Sequence, residues 1–569
     1  MPHVHSRLVV VITALGIFLS ACTAGQVKNY VPVTNTMLEN PDPSDWLNWR
    51  RTLDAWGFSP LKQIDRHNVA HLQLVWSSGL AAGGYEGSPL VHSGVIYIIN
   101  PGKGDIIGGV QARDAATGGL IWEYTRPNNG VAPSGREMRS IAIFEDKIFY
   151  ATADAHIVAL DARRGNVVWD QMVADYRLGY RYSSGPIVAK GNVIAGITGC
   201  DRFKVAGVSD VCFISAHNPQ TGKELWRMST VARPGEPGGD TWGTLPLMFR
   251  AGGDAWIPGS FDPNLNTIYW STAQPKPLAR ISRRTDGAAL YTSSVLALEP
   301  ETGKLKWYHQ LVPGETFDQD EVFESLLIDR DNRTSLFKMG KLGILWELDR
   351  TTGEFVAARD LGYQNQLDVN PRTGEVAYRP GMIPKPGVEI THCPDFLGVK
   401  NWRAMSYHPE TEALYIPINI NCQKTVFTEV ELVEGGGANS ADPFPGEKTI
   451  QTLPNPIDPE HRGGFIVILI KTGKIVWKHM FRTGVTSSAL TTAGGLAFVG
   501  DADGYFYAYD AGTGEVLYRV QLPGVATGSP ITYLAHGRQF VAVPVAARRN
   551  GGNAILVFAL PDRSSVANQ

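Results

Sequence analysis

Five cysteines in 569 residues are few, and no two of them form a Cys-x-x-Cys pair. That argues against a thiolate metal site, and the missing Cys-x-x-Cys-His argues against a covalently attached c-type haem. Charge is sparse as well: 19% of the residues are Asp, Glu, Lys or Arg, the formal net charge is -3, and the basic residues do not cluster. Nucleic acid is therefore not an expected partner. Long amphipathic helical patterns are scarce, and the apolar run from Leu8 to Leu19 is too short to span a bilayer. What abounds is glycine (61) and tryptophan (14), which suits a large all-β protein with many turns and buried aromatics.

Arg7, the apolar run after it and Leu19-Ser20-Ala21-Cys22 read as a targeting segment. The last four residues resemble a bacterial lipobox, which predicts a signal peptide over 1–21, acylation of Cys22 and a tether over 22–40. An ordinary secretory signal is the alternative, and both predict export to the periplasm, with the membrane reached through the lipid anchor alone. Export makes the other four cysteines informative, because an even number in an oxidising compartment predicts disulfides. Local pairing joins Cys200 to Cys212 and Cys393 to Cys422, each closed loop contributing about 3 kcal/mol if unstrained.

Internal repetition organises the rest. An apolar strand runs into an acidic residue or Asn, a Thr-Gly turn or its equivalent, and a second strand carrying an aromatic. The copies are Asp114 to Gly118 with Trp122, Asp161 to Gly165 with Trp169, Asn218 to Gly222 with Trp226, and Glu299 to Gly303 with Trp307. Three more follow at Asp349 to Gly353, at Lys471 to Gly473 with Trp477, and at Asp510 to Gly514 with Tyr518. In each hairpin the Asp or Asn accepts backbone hydrogens, the glycine takes a positive φ and the aromatic plugs against the next unit. One such sheet cannot bury both faces alone, whereas a ring of them can. The spacing of 41 to 57 residues in the regular stretches fits four strands per blade. The expectation is an eight-bladed β-propeller over 41–562 with tryptophan-docking repeats. Its ring is closed by the N-terminal segment Trp46 to Trp76 sharing a blade with Ala554 to Leu560. The Pro/Gly-rich segment Glu434 to Pro456 reads as a surface loop and 563–569 as a frayed tail.

Within this frame Asp318 and Asp320 stand two apart in Thr316-Phe317-Asp318-Gln319-Asp320. On an extended backbone both carboxylates would point to one side, and like charges that close call for a hard, oxygen-seeking cation between them.

The opening Trp46-Leu47-Asn48-Trp49 with Phe58-Ser59-Pro60-Leu61 and Asn68-Val69, together with the Thr-Gly-x-x-x-Trp turns, resembles the pyrroloquinoline quinone (PQQ) dependent alcohol dehydrogenases of the methanol and ethanol dehydrogenase group. The resemblance runs from Trp46 to about Leu560. It implies that Glu86, Arg139, Ser183, Thr198, Gly199, Cys200, Lys341, Asn401 and Trp402 contact PQQ, and that the quinone stacks on Trp256. By the same resemblance Asp201, Gln274, Asp318 and Asp320 hold a metal ion, and Asp318 is the catalytic base. Asp320 resembles the extra Asp of the lanthanide-dependent branch, so a lanthanide ion is expected, with calcium (Ca2+) as the alternative. An alcohol is the implied substrate and a soluble cytochrome c or another electron acceptor the implied partner.

The chemistry agrees with these roles. A planar, tri-acidic quinone needs cations and a flat aromatic support, a bound cation makes its carbonyl a better hydride acceptor, and Asp318 takes the hydroxyl proton. The sequence departs from the family in four places. Pro133-Ser134 stand about where an adjacent-cysteine pair is usual, Asp201 replaces a Glu, Gln274 replaces an Asn, and about six extra residues follow Asp201 before the strand at Phe213. Two other functions stay open at this level. One is a non-catalytic propeller lipoprotein serving as an envelope assembly scaffold. The other is a quinoprotein acting on sugars or polymeric alcohols, with specificity set by loops near Ala206 to Val211 and Val376 to Gly398.

Overall fold

The computed structural model describes residues 25–131, 137–204, 208, 210–330, 332–437, 445–547 and 552–562. The expected signal peptide, Cys22, Pro133-Ser134 and the tail 563–569 lie outside the described residues, as do residues 206, 207 and 209 of the 206–211 loop. Among the described residues no helix is long and apolar enough to cross a membrane.

The protein is all-β, a β-propeller of short antiparallel sheets. The spans 90–127, 142–172, 187–229, 260–310, 325–360, 406–481 and 490–521 each supply four strands that pair in chain order. A further sheet takes Ile531–Ala535, Arg538–Ala546 and Asn553–Ala559 from one end of the chain and Gln73–Leu80 from the other. Gln73 lies opposite Ala559 and Leu80 opposite Asn553, so the two ends of the chain close the ring in one sheet. Phe58–Ser59 adds a parallel edge to the 490–521 sheet.

Burial explains the strand sequences. Second strands such as Lys147–Ala151 and Thr267–Ser271 are buried throughout, and their central residues, Ile148 to Ala151 and Ile268 to Trp270, are apolar without alternation. Outermost strands such as Val167–Met172 are exposed or half-exposed along their length. A strand covered on both faces needs no polar alternation.

The joints between sheets are side-chain contacts. Asp114 Oδ1 accepts the amide hydrogens of Ala116 and Thr117, and Gly118 then turns the chain at φ 75°. The face of Trp76, from the preceding sheet, lies over Gly118, and its indole donates to the Ala115 carbonyl at 3.3 Å. Trp122 meets Gly165, Trp169 meets Gly222, Trp226 meets Gly303, and Trp477 meets Gly514 in the same way. Their indoles donate to the carbonyls of Ala162, Pro219, Pro300 and Ala511. Trp307 covers Gly353, and the Tyr518 hydroxyl reaches the Leu72 carbonyl.

One joint differs. Phe355 packs on Gly374, and Arg359 is what approaches Gly473. Gly374 belongs to Asn370-Pro371-Arg372-Thr373-Gly374, a further Asn-to-Gly turn that the repeat count above omitted. It lies in a hairpin of Leu367–Val369 with Val376–Tyr378. The expected loop over Glu434 to Pro456 is only partly a loop. Glu447–Pro454 is a strand on Asn421–Phe427, which also pairs Glu389–His392, so the insertion builds a sheet of its own.

Both disulfides form as paired above, Cys200–Cys212 and Cys393–Cys422, spanning 12 and 29 residues. The first closes the loop after Asp201, and the second ties the inserted sheet to the segment before Asn401.

The joints make a direct stability prediction. A Cβ on Gly165 would sit 2.5 Å from Trp122 Cε3 with φ at 75°, whereas Gly94 has φ 73° and open space around it. Gly165→Ala is expected to cost about 1–3 kcal/mol more than Gly94→Ala, because only the first adds a clash to the backbone strain. Urea unfolding midpoints of the two variants measure the difference; equal midpoints would remove the ring contact from the stability of the joint.

Candidate active site

Most of the expected site residues share one place in the fold. Glu86, Arg139, Ser183, Trp256, Asp318, Asp320, Asn401 and Trp402 each lie a few residues before the first strand of a sheet. Thr198, Asp201, Gln274 and Lys341 each follow a second strand. In an antiparallel sheet the start of one strand and the end of the next are at the same edge, so successive sheets bring all of these to one end of the ring.

There they line a cavity of about 270 Å³, except Lys341, Gly199 and Cys200. Lys341 touches the cavity carboxylates from the side, with Nζ 2.8 Å from Asp320 Oδ2 and 3.3 Å from Asp318 Oδ2. Gly199 and Cys200 stand behind the wall and contribute backbone amides that donate to Asp254 Oδ1 at 2.7 and 3.2 Å. A larger depression of about 1010 Å³ by the 368–377 hairpin shares no lining residue with this site.

The carboxylate pair converges by a different route from the extended strand expected above. Neither Asp318 nor Asp320 is in a strand, and Asp318 holds φ 62°, a left-handed conformation unusual for a residue with a side chain. Gln274 bridges the two: its Nε2 donates to Asp318 Oδ1 and its backbone N–H to Asp320 Oδ1, the latter at 3.1 Å. The segment behind is braced by a buried ion pair, Lys400 Nζ to Glu324 Oε2 at 2.7 Å, and Glu324 Oε1 also accepts the Met405 amide. That pair ties the turn carrying Asn401 and Trp402 to the segment carrying Asp318 and Asp320.

The opposite wall is cationic and aromatic. The Arg139 guanidinium pairs with Glu86 at 2.6 Å, donates to the Ser183 carbonyl at 2.8 Å and lies 4.5 Å from the centre of the Trp256 ring. Phe323 holds the Trp256 indole edge to face at 5.2 Å.

Burial sets the electrostatics. It pushes the Asp318 carboxyl up, against the pull of Lys341 and Lys276. It raises Glu86 too, with Arg139 opposing. Asp254 rises to about 7, first through burial and then through the charge of Asp201. For Lys341 and Lys276 burial acts downward, but the surrounding carboxylates outweigh it and both ammoniums are held charged.

The sequence reading missed five lining residues, Ala273 and the four charged ones Glu137, Arg181, Asp254 and Lys276. Asp254 was visible two residues before Trp256, and Lys276 two residues after Gln274, but single charged residues among Gly and Pro carry no pattern. Lys276 Nζ lies 3.8 Å from Asp201 Oδ1, with both groups largely buried.

The cavity fits the groups that the resemblance implies. Arg139 Nε, Arg181 Nε and Trp402 Nε1 are buried donors without a hydrogen-bond acceptor, as an anionic ligand with carboxylates would require. Gln274 Oε1 is a buried acceptor without a donor, beside Asp318 and Asp320, as an oxygen-seeking cation would require.

Comparison with known proteins agrees. Residues 46–360 and 469–541 match the family model of the PQQ β-propeller domain of glucose, ethanol and alcohol dehydrogenases. The quinohemoprotein alcohol dehydrogenase ADH IIB of Pseudomonas putida is 32% identical over 528 residues, covering 88% of this chain and 73% of that protein. The quinoprotein alcohol dehydrogenase PedH of the same species is 30% identical over 565 residues, covering 93% and 91%. A europium-containing methanol dehydrogenase superposes with a TM-score of 0.84 at 26% identity, over 92% of this chain and 99% of that one. The chain belongs to the PQQ-dependent alcohol dehydrogenase family. It is an oxidoreductase that oxidises an alcohol with PQQ, in a family that works with a metal ion.

Asp254 gives the site a pH signature. The unfolded chain releases this proton near 3.8 and the folded chain near 7. Between those values the folded state keeps a proton that the unfolded state has lost, so stability falls as pH rises, by up to about 1.4 kcal/mol per pH unit. Asp254→Asn, which keeps an acceptor for Gly199 and Cys200, is expected to flatten that fall. Chemical denaturation at pH 4.5, 5.5 and 6.5 tests it, and parallel slopes in the two proteins would refute it.

Proposed function

We propose that Asp318 is the general base for alcohol oxidation, and that Asp201, Gln274, Asp318 and Asp320 hold the metal ion beside it. The observation that carries this reading is the convergence of Asp318 and Asp320 on the nitrogen donors of Gln274, whose own side-chain oxygen is left unpaired, in the cavity that Trp256 lines. When bound, PQQ accepts the hydride from the alcohol carbon, and the cation strengthens its carbonyl as an acceptor. The chain supplies the rest. Trp256 gives the planar support. Arg139, Arg181 and Lys341 supply positive charge for the cofactor's acidic groups, with Glu86, Ser183, Thr198, Asn401 and Trp402 around them. Gly199 and Cys200 act from behind by fixing Asp254. Asp318 takes the hydroxyl proton, and burial, which favours its protonated form, suits it to hold that proton.

In this reading the ring of sheets over 41–562 is an eight-bladed propeller, each aromatic-on-glycine joint a tryptophan-docking contact. Three carboxylates favour a lanthanide, as does the europium of the similar methanol dehydrogenase, with calcium as the alternative. The product is an aldehyde or ketone, and electrons pass to a separate acceptor such as a soluble cytochrome c. The enzyme works in the periplasm, tethered through Cys22.

The test is dye-linked alcohol oxidation by protein reconstituted with PQQ and calcium, lanthanum or neither. Asp318→Asn is expected to lower kcat by roughly 10²- to 10⁴-fold while PQQ still binds, and Asp320→Ala to abolish activation by lanthanum. Full activity of Asp318→Asn would remove it as the base. Failure to bind PQQ under all three conditions would overturn the reading of the cavity.

A further inference from the structure

Beside the segment that carries Asp201 lies a second space. It is a pocket of about 190 Å³ lined by Arg177, Leu178, Arg202, Phe203, Lys204, Val208 and Gly435, and it shares no lining residue with the active-site cavity. That volume is below the usual size of a site for a whole ligand and suits a single chemical group. Backbone pairing fixes one wall. Arg202 bridges Gly437, the Phe203 amide donates to the Gly436 carbonyl at 2.8 Å, and the Gly435 amide donates to the Lys204 carbonyl at 3.1 Å. On a segment paired in this way residues two apart point to one side, which sets the side chains of Arg202 and Lys204 together in the pocket. Phe203 between them packs edge to face on Phe249 at 5.3 Å.

The positive charge of this pocket is not spent within the protein. Lys204 is 5% exposed, and its Nζ donates to the Arg202 carbonyl at 3.2 Å and lies 5.1 Å from the centre of the Tyr180 ring. Among the described residues no carboxylate pairs with it. The other buried lysines differ. Lys147, Lys276, Lys341 and Lys400 each have a carboxylate within 4 Å, and Lys338 donates to the Phe323 carbonyl at 2.7 Å with the charge of Glu321 opposing its burial. Among the described residues the Arg202 guanidinium makes no hydrogen bond or ion pair, while Arg177 pairs with Asp175 at 2.8 Å and stays exposed. No lining residue is acidic. Burial pulls the Lys204 ammonium down to about 8, against the charges of Asp254, Asp201 and Asp210, and an anion in the pocket would supply the close counter-charge that burial demands.

We infer that this pocket is a binding site for one oxyanion group, a carboxylate or a phosphate, held between Lys204 and Arg202 with Arg177 at its rim. Arg202 directly follows Asp201 of the cavity wall, so the two spaces adjoin. The group has two sources. It is a free anion, or it is carried by the substrate, which on the proposed reading of the cavity makes that substrate an alcohol bearing an acid.

The test uses purified full-length protein as wild type, Lys204→Met and Arg202→Gln, each checked for its unfolding midpoint and for PQQ binding. Calorimetric titration with inorganic phosphate and with acetate reads a free anion. The KM values of a hydroxyalkanoate and of the plain primary alcohol of equal chain length, in protein loaded with PQQ and metal, read an acid carried by the substrate. Wild type is expected to bind one of the two anions saturably or to prefer the hydroxyalkanoate, and each variant to lose that affinity or preference by on the order of tenfold, with kcat and the KM of the plain alcohol unchanged. Anion binding weakened in the variants with both KM values unchanged assigns the site to a free anion, and a rise confined to the KM of the hydroxyalkanoate assigns it to the substrate. Wild type and variants alike in both the titrations and the KM ratio would overturn the inference. Should Lys204→Met fail to fold, Arg202→Gln decides, since that guanidinium has no partner among the described residues to lose. Absence of PQQ binding would overturn the reading of the cavity and leave the anion titrations to decide the pocket.

Discussion

An aromatic ring laid over a glycine is the contact on which the rest of this protein depends. No single four-stranded sheet here can hide both faces, so each is stable only when its neighbours cover it. The tryptophan of one sheet and the tight turn of the next supply that cover. The indole N–H finds a carbonyl in the same turn, which spares a buried donor. Because a side chain at the glycine would occupy the volume of the indole, the turn must be both left-handed and bare. The last joint is made by covalently distant strands, Gln73–Leu80 on Asn553–Ala559. Closure thus removes the two sheet edges that an open array would expose.

The active site is a consequence of that closure. Each sheet contributes the residues that enter its first strand and leave its second, and the ring points all of these at one end of its axis. The chemistry is therefore assembled from positions as far apart as Glu86 and Trp402, with no two sheets contributing more than a few side chains each. A scaffold protein could have the same ring. What distinguishes this one is the density of charge at that end: buried carboxylates, two ammoniums and a guanidinium on an indole face, with unpaired donors and acceptors left over. Buried charge at this density is costly unless a ligand completes it.

The inserted sheet shows how the ring is elaborated without being disturbed. Glu389–His392, Asn421–Phe427 and Glu447–Pro454 pair with one another outside the ring. They pack on Phe317, the residue before Asp318: its ring lies 4.6 Å from His392 and 5.7 Å from Phe427. Glu447 on its outer strand is raised to about 7 by burial and then by the charge of Asp318. The insertion is therefore electrostatically part of the site, although no repeat signal in the sequence marks it.

By itself the sequence determined the class of fold, because Thr-Gly turns with an aromatic a few residues on can bury their faces only by stacking in a ring. It also determined the disulfides, through the small number of cysteines and their proximity, and most of the lining residues, through their resemblance to a family. Tertiary structure decided the rest. Asp318 and Asp320 meet because Asp318 adopts a left-handed backbone held by Gln274, from the preceding sheet, and by Lys341, from the far end of the next strand of its own sheet, and an extended reading of Asp-x-Asp cannot foresee that. Lys276 and Asp254 became part of the site only when the segments at 199–201, 251–256 and 273–276 were folded against one another. A lone lysine after a proline has no meaning in one dimension, since what gives it one is the sign of the charge that long-range folding sets beside it.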